Sequence, residues 1–218
     1  MPDQSLPFRA ILFDMDGVLV DSNPAIEASW QVWANKHDLD FAAVKARIHG
    51  RKAVEVIRHF LPDADIETSW AELIDQEMAS AHLTVPIPGV APILAALKPE
   101  EWAVVTSAPL ELAQARMQAA GHPQPTAWVT ARDVERGKPA PDGFLLGAGK
   151  LGVEPGDCLV IEDAGPGIAA AQAAGMRAIY LNTDPHTPDG TTAHIGGHDQ
   201  LAIERDATGT ALMHIAVR

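Results

Sequence analysis

Basic residues are in short supply: 16 Lys and Arg stand against 29 Asp and Glu, a formal net charge of −13 at pH 7. A chain this acidic is unsuited to tracking a phosphate backbone, so nucleic acid is not an expected partner. A small phosphate ligand stays open, provided a metal or a local cation supplies positive charge. Cysteine occurs once, at Cys158, so no internal disulfide is possible, and a reducing cytoplasm is the expected setting. Cys158 stands inside the run CLVI and reads as a small core residue. No stretch approaches ~18 consecutive apolar residues, so no membrane span is expected. The opening MPDQSLPFRA has no basic region followed by an apolar one, so no secretory signal is expected. Hydrophobic residues still make up 47% of the 218 residues, enough for one good core and a smaller appended domain.

Short apolar runs alternate with helical patterns. Strands are expected at AILF (10–13), AVVT (103–106), AWVT (127–130), CLVI (158–161) and RAIYL (177–181). Helices are expected near Val90–Leu97, Leu110–Ala120, Gly143–Leu151 and Gly167–Ala174. Continuous β-rich runs separated by helices indicate an α/β fold, a doubly wound parallel sheet covered on both faces. Residues 19–84 break the alternation. Ile26, Trp30 and Trp33, then Val54, Ile57 and Leu61, then Ile66, Trp70, Leu73 and Ile74 recur at helical spacing. The division expected is an α/β core from 1–18 and 85–218 with a small helical cap at 19–84, its tryptophans in a core rather than stacked on a ligand. After Asn182 the chain turns Gly-, Thr- and His-rich; residues 186–198 read as a solvated loop without metal-ligand spacing. TALMHIAV near the end reads as a strand of an edge hairpin, its turn at Ala207–Gly209.

Ligands of open α/β sheets bind at the carboxyl ends of strands. Asp14 stands at one such end, Thr106 and Ser107 at a second, Glu162 and Asp163 at a third. Asp16 follows Asp14 by two residues, and side chains at i and i+2 of an extended chain face the same way. Four carboxylates crowded there would repel, which makes a hard divalent cation with oxygen ligands, Mg2+ before Ca2+, the natural occupant. A metal-bound aspartate beside a second acid suits phosphoryl transfer: one carboxylate attacks phosphorus, the other protonates the leaving oxygen and later activates water. Lys138 in RGKPAPD (136–142) is the candidate cation for the transition state, with Thr106 and Ser107 as hydroxyl and N–H donors.

GPGIAA (165–170), with Asp184 further on, imitates a dinucleotide fingerprint. The acids Glu162 and Asp163 stand where pyrophosphate would have to bind, and little chain follows to build a substrate domain. A phospho-acceptor signalling module also has acids and a lysine on a doubly wound sheet. It lacks a helical lid, however, and carries its acceptor on a later strand.

Taken together, FDMDGVLVDS (13–22), VVTS (104–107), RGKPAPD (136–142) and IEDAGPGIAAAQAAG (161–175) resemble, in order, the four motifs of the haloacid-dehalogenase superfamily. The segment IHGRKAVEVIRHF (48–60) is similar to its sugar-phosphatase branch. The resemblance implies a Rossmann-like core and a Mg2+-dependent phosphatase acting on small sugar or polyol phosphates through an aspartyl-phosphate. A β-phosphoglucomutase-like phosphosugar mutase is the alternative. It makes Asp14 the nucleophile, Asp16 the general acid/base, Thr106 and Ser107 the phosphate ligands and Lys138 the charge-stabilising lysine. It places the metal on Asp14, Asp16 (through its carbonyl), Asp163 and Glu162. Within the cap, His49, Gly50, Arg51 and Lys52 lie between helices as candidates for substrate contact. The partner implied is a small phosphate ester, with monomer as the default state. Where sugar phosphatases carry Thr-Ser-Gly-Ser, this chain has Thr106-Ser107-Ala108-Pro109, and Pro109 brings no N–H.

Overall fold

The computed structural model describes residues 4–48 and 53–216. In chain order the strands are β1 (Gln4–Phe8), β2 (Ala10–Phe13), β3 (Val20–Asp21), β4 (Val85–Pro86), β5 (Trp102–Val105), β6 (Ala127–Val129), β7 (Cys158–Glu162), β8 (Arg177–Leu181), β9 (Ala193–Ile195), β10 (Leu201–Arg205) and β11 (Ala211–Ile215). The helices are α1 (Asn23–Lys36), α2 (Phe41–Ile48), α3 (Ala53–Phe60), α4 (Ile66–Ser80), α5 (Val90–Ala96), α6 (Leu110–Ala119), α7 (Asp142–Leu151) and α8 (Gly165–Ala173).

Six strands form one parallel sheet in the order β6-β5-β2-β7-β8-β9. Successive residues of a strand face opposite ways, and here they sort cleanly between two layers. Ile11, Phe13, Val104, Leu159, Ile161 and Ile179 join a cluster with Val90, Ile93 and Leu94 of α5 and Ala113 and Met117 of α6. Ala10, Leu12, Ala103, Cys158, Val160 and Ala178 pack with Phe144 and Ala148 of α7 and Ile168 and Ala171 of α8. All four residues of β2 are fully buried, which is why AILF shows no polar alternation. At roughly 1.5–3 kcal/mol for each large aliphatic or aromatic side chain withdrawn from water, these strands anchor the fold.

Helices α1–α4 leave and rejoin the sheet through β3 and β4, which pair antiparallel (Val20 with Pro86, Asp21 with Val85) as a two-stranded neck. They close on a third cluster of Trp30, Trp33, Val44, Val56, Ile57 and Leu73. Trp30 and Trp33 meet edge to face at 5.1 Å and are buried, so these tryptophans are core. At the start of α1 the N-cap residue Ser22 makes no side-chain capping bond, and the Asn23 N–H donates instead to Asp21 Oδ1 at 3.1 Å.

Two expectations need correction. The His-rich stretch is not a loop throughout, because Ala193–Ile195 adds the edge strand β9 beside β8; three residues flanked by Thr and Gly give no period to read. The C-terminal hairpin, β10 with β11, does not sit on the edge of the main sheet. It pairs with β1 in a separate three-stranded antiparallel sheet whose Leu6, Phe8, Met213 and Ile215 cover the α5 side.

Candidate active site

The carboxyl ends of β2, β5 and β7 are neighbours, so Asp14, Thr106 and Glu162 come together as expected. Lys138 reaches in from the loop before α7, its Nζ 2.5 Å from Asp14 Oδ1, 2.6 Å from Glu162 Oε1 and 3.1 Å from the Val105 carbonyl oxygen. The same Nζ stands over the Phe144 ring, 5.2 Å from the centroid. Burial alone would lower the Lys138 pKa, but the two carboxylates outweigh it, so the ammonium is held more firmly protonated than a free lysine. Burial, together with Glu162 and Asp163, pushes Asp14 well above the usual carboxylate range, with Lys138 opposing.

Glu162 is buried and fully engaged, one oxygen on Lys138 and the other accepting from the Ala164 N–H at 3.0 Å. The glycine that imitates a dinucleotide fingerprint has another purpose here. A Cβ on Gly167 would lie 1.8 Å from Glu162 Oε1, so the glycine makes room for this folded-back carboxylate. Gly17 does the same for Asp163: with φ at +84°, a Cβ there would stand 2.0 Å from Asp163 Oδ2.

Asp14, Glu162 and Asp163 offer oxygens within 4.8 Å of one another. Among the described residues, Asp163 alone of the three lacks a lysine contact, and burial followed by the Glu162 charge raises its pKa to about 7. A set of hard, crowded carboxylate oxygens with one half-buried and destabilised member fits a hard divalent ion. The Asp163 side borders an open cleft of about 270 Å³ with Gly17, Ile87, Asn182 and Thr183. Within that lining, Asn182 Nδ2 donates to the Asp163 carbonyl at 3.0 Å, and His194 Nε2 donates to the Asn182 carbonyl at 2.7 Å.

Thr106 is buried; its N–H donates to Val129 O at 2.9 Å and its Oγ1 accepts from the Ala108 N–H at 3.1 Å. Ser107 is exposed, and Pro109 occupies the N-cap position of α6. His49, Gly50, Arg51 and Lys52 lie outside the described residues.

Asp16 behaves differently from its neighbour. The extended chain ends at Phe13 and bends at Met15, so the i, i+2 relation no longer governs. Its carboxylate takes two hydrogen bonds from Arg116 Nη1, at 3.1 and 3.0 Å, while Arg116 Nη2 donates to Glu77 at 2.8 Å. Its charge still reaches Asp163, where it contributes to the raised pKa. Neither Arg116 nor Glu77 was expected from the sequence, although both leave a trace there. Arg116 stands four residues after Leu112, and Glu77 four after Leu73, each a single charge on an apolar helix stripe. Two histidines were also missed: His122 and His198 are buried and donate from Nε2 to the Leu19 and Val18 carbonyls, at 3.0 and 2.8 Å, bracing the turn between Asp16 and β3.

A parallel sheet with carboxylates and a lysine at its strand ends, interrupted by a helical insert after the first parallel strand, defines a class of hydrolase. The sequence pattern of the haloacid dehalogenase-like hydrolases matches residues 8–175, and the chain belongs to that family. It is 38% identical over 212 residues to hexitol phosphatase A of Escherichia coli, covering 94% of this chain and 98% of the relative. It is 34% identical over 192 residues to glycerol-1-phosphate phosphohydrolase 2 of Saccharomyces cerevisiae, covering 82% and 76%. Among solved structures, a CbbY mutant from Rhodobacter sphaeroides in complex with xylulose-(1,5)bisphosphate superposes with a TM-score of 0.78 at 22% identity, over 89% of this chain and 96% of that one. The chain is thus an enzyme, a phosphoric monoester hydrolase of the haloacid dehalogenase type.

Proposed function

We propose that this enzyme hydrolyses small sugar or polyol phosphates, in the range of hexitol and glycerol phosphates, through an aspartyl-phosphate on Asp14. The observation that carries the reading is the Asp14 carboxylate at the end of β2, buried and paired to Lys138, with Glu162 and Asp163 beside it. An Asp14 oxygen attacks phosphorus while the bond to the alkoxy oxygen breaks, and Asp16 gives that oxygen its proton. Asp16 then takes a proton from water as the water oxygen attacks the phosphoryl group, returning Asp14 and releasing inorganic phosphate. Lys138 meets the charge that develops on the phosphoryl oxygens, and Glu162 keeps its ammonium aimed there. Thr106 and Ser107 are the phosphate donors beyond it. Asp14 and Asp163 would hold Mg2+ with the Asp16 carbonyl, and Glu162 supports the centre; the ion when bound supplies charge neutralisation for the incoming ester.

Helices α1–α4, within residues 19–84, act as the cap that selects the alcohol portion, with His49–Lys52 as its candidate contacts. Relatives above 30% identity favour a phosphatase over the phosphosugar mutase, which the fold alone would equally accommodate. The test is phosphate release from a panel of hexitol, polyol and sugar phosphates, with and without Mg2+. Asp14→Asn should lower turnover at least ~1000-fold on every active ester, since the nucleophile is gone. An Asp14→Asn variant with wild-type turnover would refute the assignment.

A further inference from the structure

Arg116 sits where three parts of the fold meet. It is carried by α6 on the sheet side, its side chain only 3% exposed, yet it pairs with Asp16 just before the neck and with Glu77 on α4 of the helical insert. Among the described residues, Arg116 is the sole hydrogen-bond donor to the Asp16 carboxylate. That carboxylate is 30% exposed, so without the guanidinium no hydrogen bond from the described residues holds its rotamer. A guanidinium is a flat, rigid fork, and turning it to follow one carboxylate displaces its bonds to the other. Elsewhere α4 and α6 part around a groove of about 200 Å³ lined by Trp70, Ile74, Met78 and Leu112. Residues 81–83, just beyond α4, pack on α6, so the Glu77–Arg116 pair ties α4 to α6 beside that contact and the groove. As a device for stability alone it is a poor choice, because apolar side chains of similar volume serve at least as well as a buried ion pair.

From this geometry we infer that Arg116 is a positioning residue, and that through Glu77 it makes the placement of the Asp16 carboxylate depend on the seating of α4. The inference rests on the reading of Asp16 as general acid/base. When α4 sits as seen here, Glu77 fixes one edge of the guanidinium and Asp16 is held on the other. When α4 moves away, the fork loses its second anchor and Asp16 its fixed orientation. Proton transfer to the leaving oxygen is thereby coupled to closure over the substrate.

The experiment compares a polyol phosphate, whose alkoxide leaving group needs the proton, with p-nitrophenyl phosphate, whose leaving group does not. Arg116→Met should lower kcat on the polyol phosphate by about 100-fold with KM changed less than about twofold, the cost of a misplaced acid. The first-turnover burst of p-nitrophenolate should stay within about threefold of wild type, because that step does not wait on the acid. Arg116→Lys, which keeps the charge should the Met variant fold poorly, should recover part of the loss. Glu77→Gln should lower kcat on the polyol phosphate by roughly tenfold, and the double variant Glu77→Gln/Arg116→Met should be no worse than Arg116→Met, since Glu77 acts through Arg116. A folded Arg116→Met with wild-type polyol-phosphate turnover overturns the inference. So does an equal loss on both substrates that tracks a fall in Tm, the signature of a purely structural pair. Asp16→Asn separates the two levels. If it keeps full polyol-phosphate turnover, the acid/base reading fails and the coupling with it. If it is inactive while Arg116→Met is not, only the coupling fails.

Discussion

Asp163 is expected to cost the metal-free enzyme stability, and Asp163→Asn isolates that cost because it removes the charge while keeping the shape. Burial and the Glu162 charge raise this carboxyl from 3.8 to about 7 in the fold. A group whose folded pKa lies above its unfolded value binds more protons in the folded state. Its stabilising contribution is therefore fully present below pH 3.8 and is lost as pH rises through about 7. At about 1.4 kcal/mol per pH unit the ceiling is about 4 kcal/mol, and partial solvent access brings the expected cost to roughly 2–3 kcal/mol. In EDTA at pH 8, Asp163→Asn should then be more stable than wild type by that amount, about 5–10 °C in Tm for a chain of this size. The advantage should shrink toward zero as pH falls to about 4, where the wild-type carboxyl is protonated in both states. Mg2+ should stabilise the wild type and do less for the variant, whose phosphatase activity should collapse. Urea and thermal unfolding across pH, with EDTA or with Mg2+, measure all of this. A variant no more stable than wild type at pH 8 in EDTA, or an advantage that grows on acidification, would refute the reasoning.

Gly167→Ala tests the pocket that Gly167 leaves for Glu162. In an open helix the change would gain up to about 1 kcal/mol, but a Cβ 1.8 Å from Glu162 Oε1 forces the carboxylate off Lys138. The clash should win, with about 1–3 kcal/mol lost in unfolding experiments and kcat reduced with it. His198 tests the brace on the turn after Asp16. Burial holds its pKa below the usual 6.5, so the fold keeps it neutral and loses stability as pH falls through 6.5, where the unfolded ring takes up a proton. His198→Ala should cost about 2–3 kcal/mol by leaving the Val18 carbonyl buried without a donor, and His198→Gln, which can still donate, should cost less and flatten the acid limb of the stability profile. Denaturant titrations between pH 5 and 8 read both effects.

What the sequence made legible was whatever repeats or stands at the end of a run. Five parallel strands, four core helices and the helical insert follow from apolar period and length, and Asp14, Thr106, Lys138, Glu162 and Asp163 follow from their places at strand ends. The elements that escaped are short or depend on distant pairing. β9 has three residues and exists because β8 offers an open edge, and β1 is a strand because β11 returns to it from more than 200 residues away. The same distinction separates the site residues. Asp14 and Lys138 are marked by their local sequence, whereas Arg116 means little until folding sets it between Asp16 and Glu77, 100 residues and 39 residues away.

The placement of the two cations explains how so acidic a chain can receive a doubly charged ester. Lys138 serves Asp14 and Glu162, while Arg116 serves Asp16 and Glu77. Among the described residues no cation pairs with Asp163, and burial with the Glu162 charge raises its pKa to about 7. At the strand ends, three carboxylates against one ammonium leave a formal charge of −2, which would repel a phosphate dianion and which one divalent ion cancels. Arg116 stands outside that cluster, so a metal arriving beside Asp163 leaves Arg116's hold on Asp16 in place. The proposed nucleophile and the proposed acid/base thus lie two residues apart in sequence yet have separate partners, Asp14 in Lys138 and the carboxylate cluster, Asp16 in a guanidinium that also grips the helical insert.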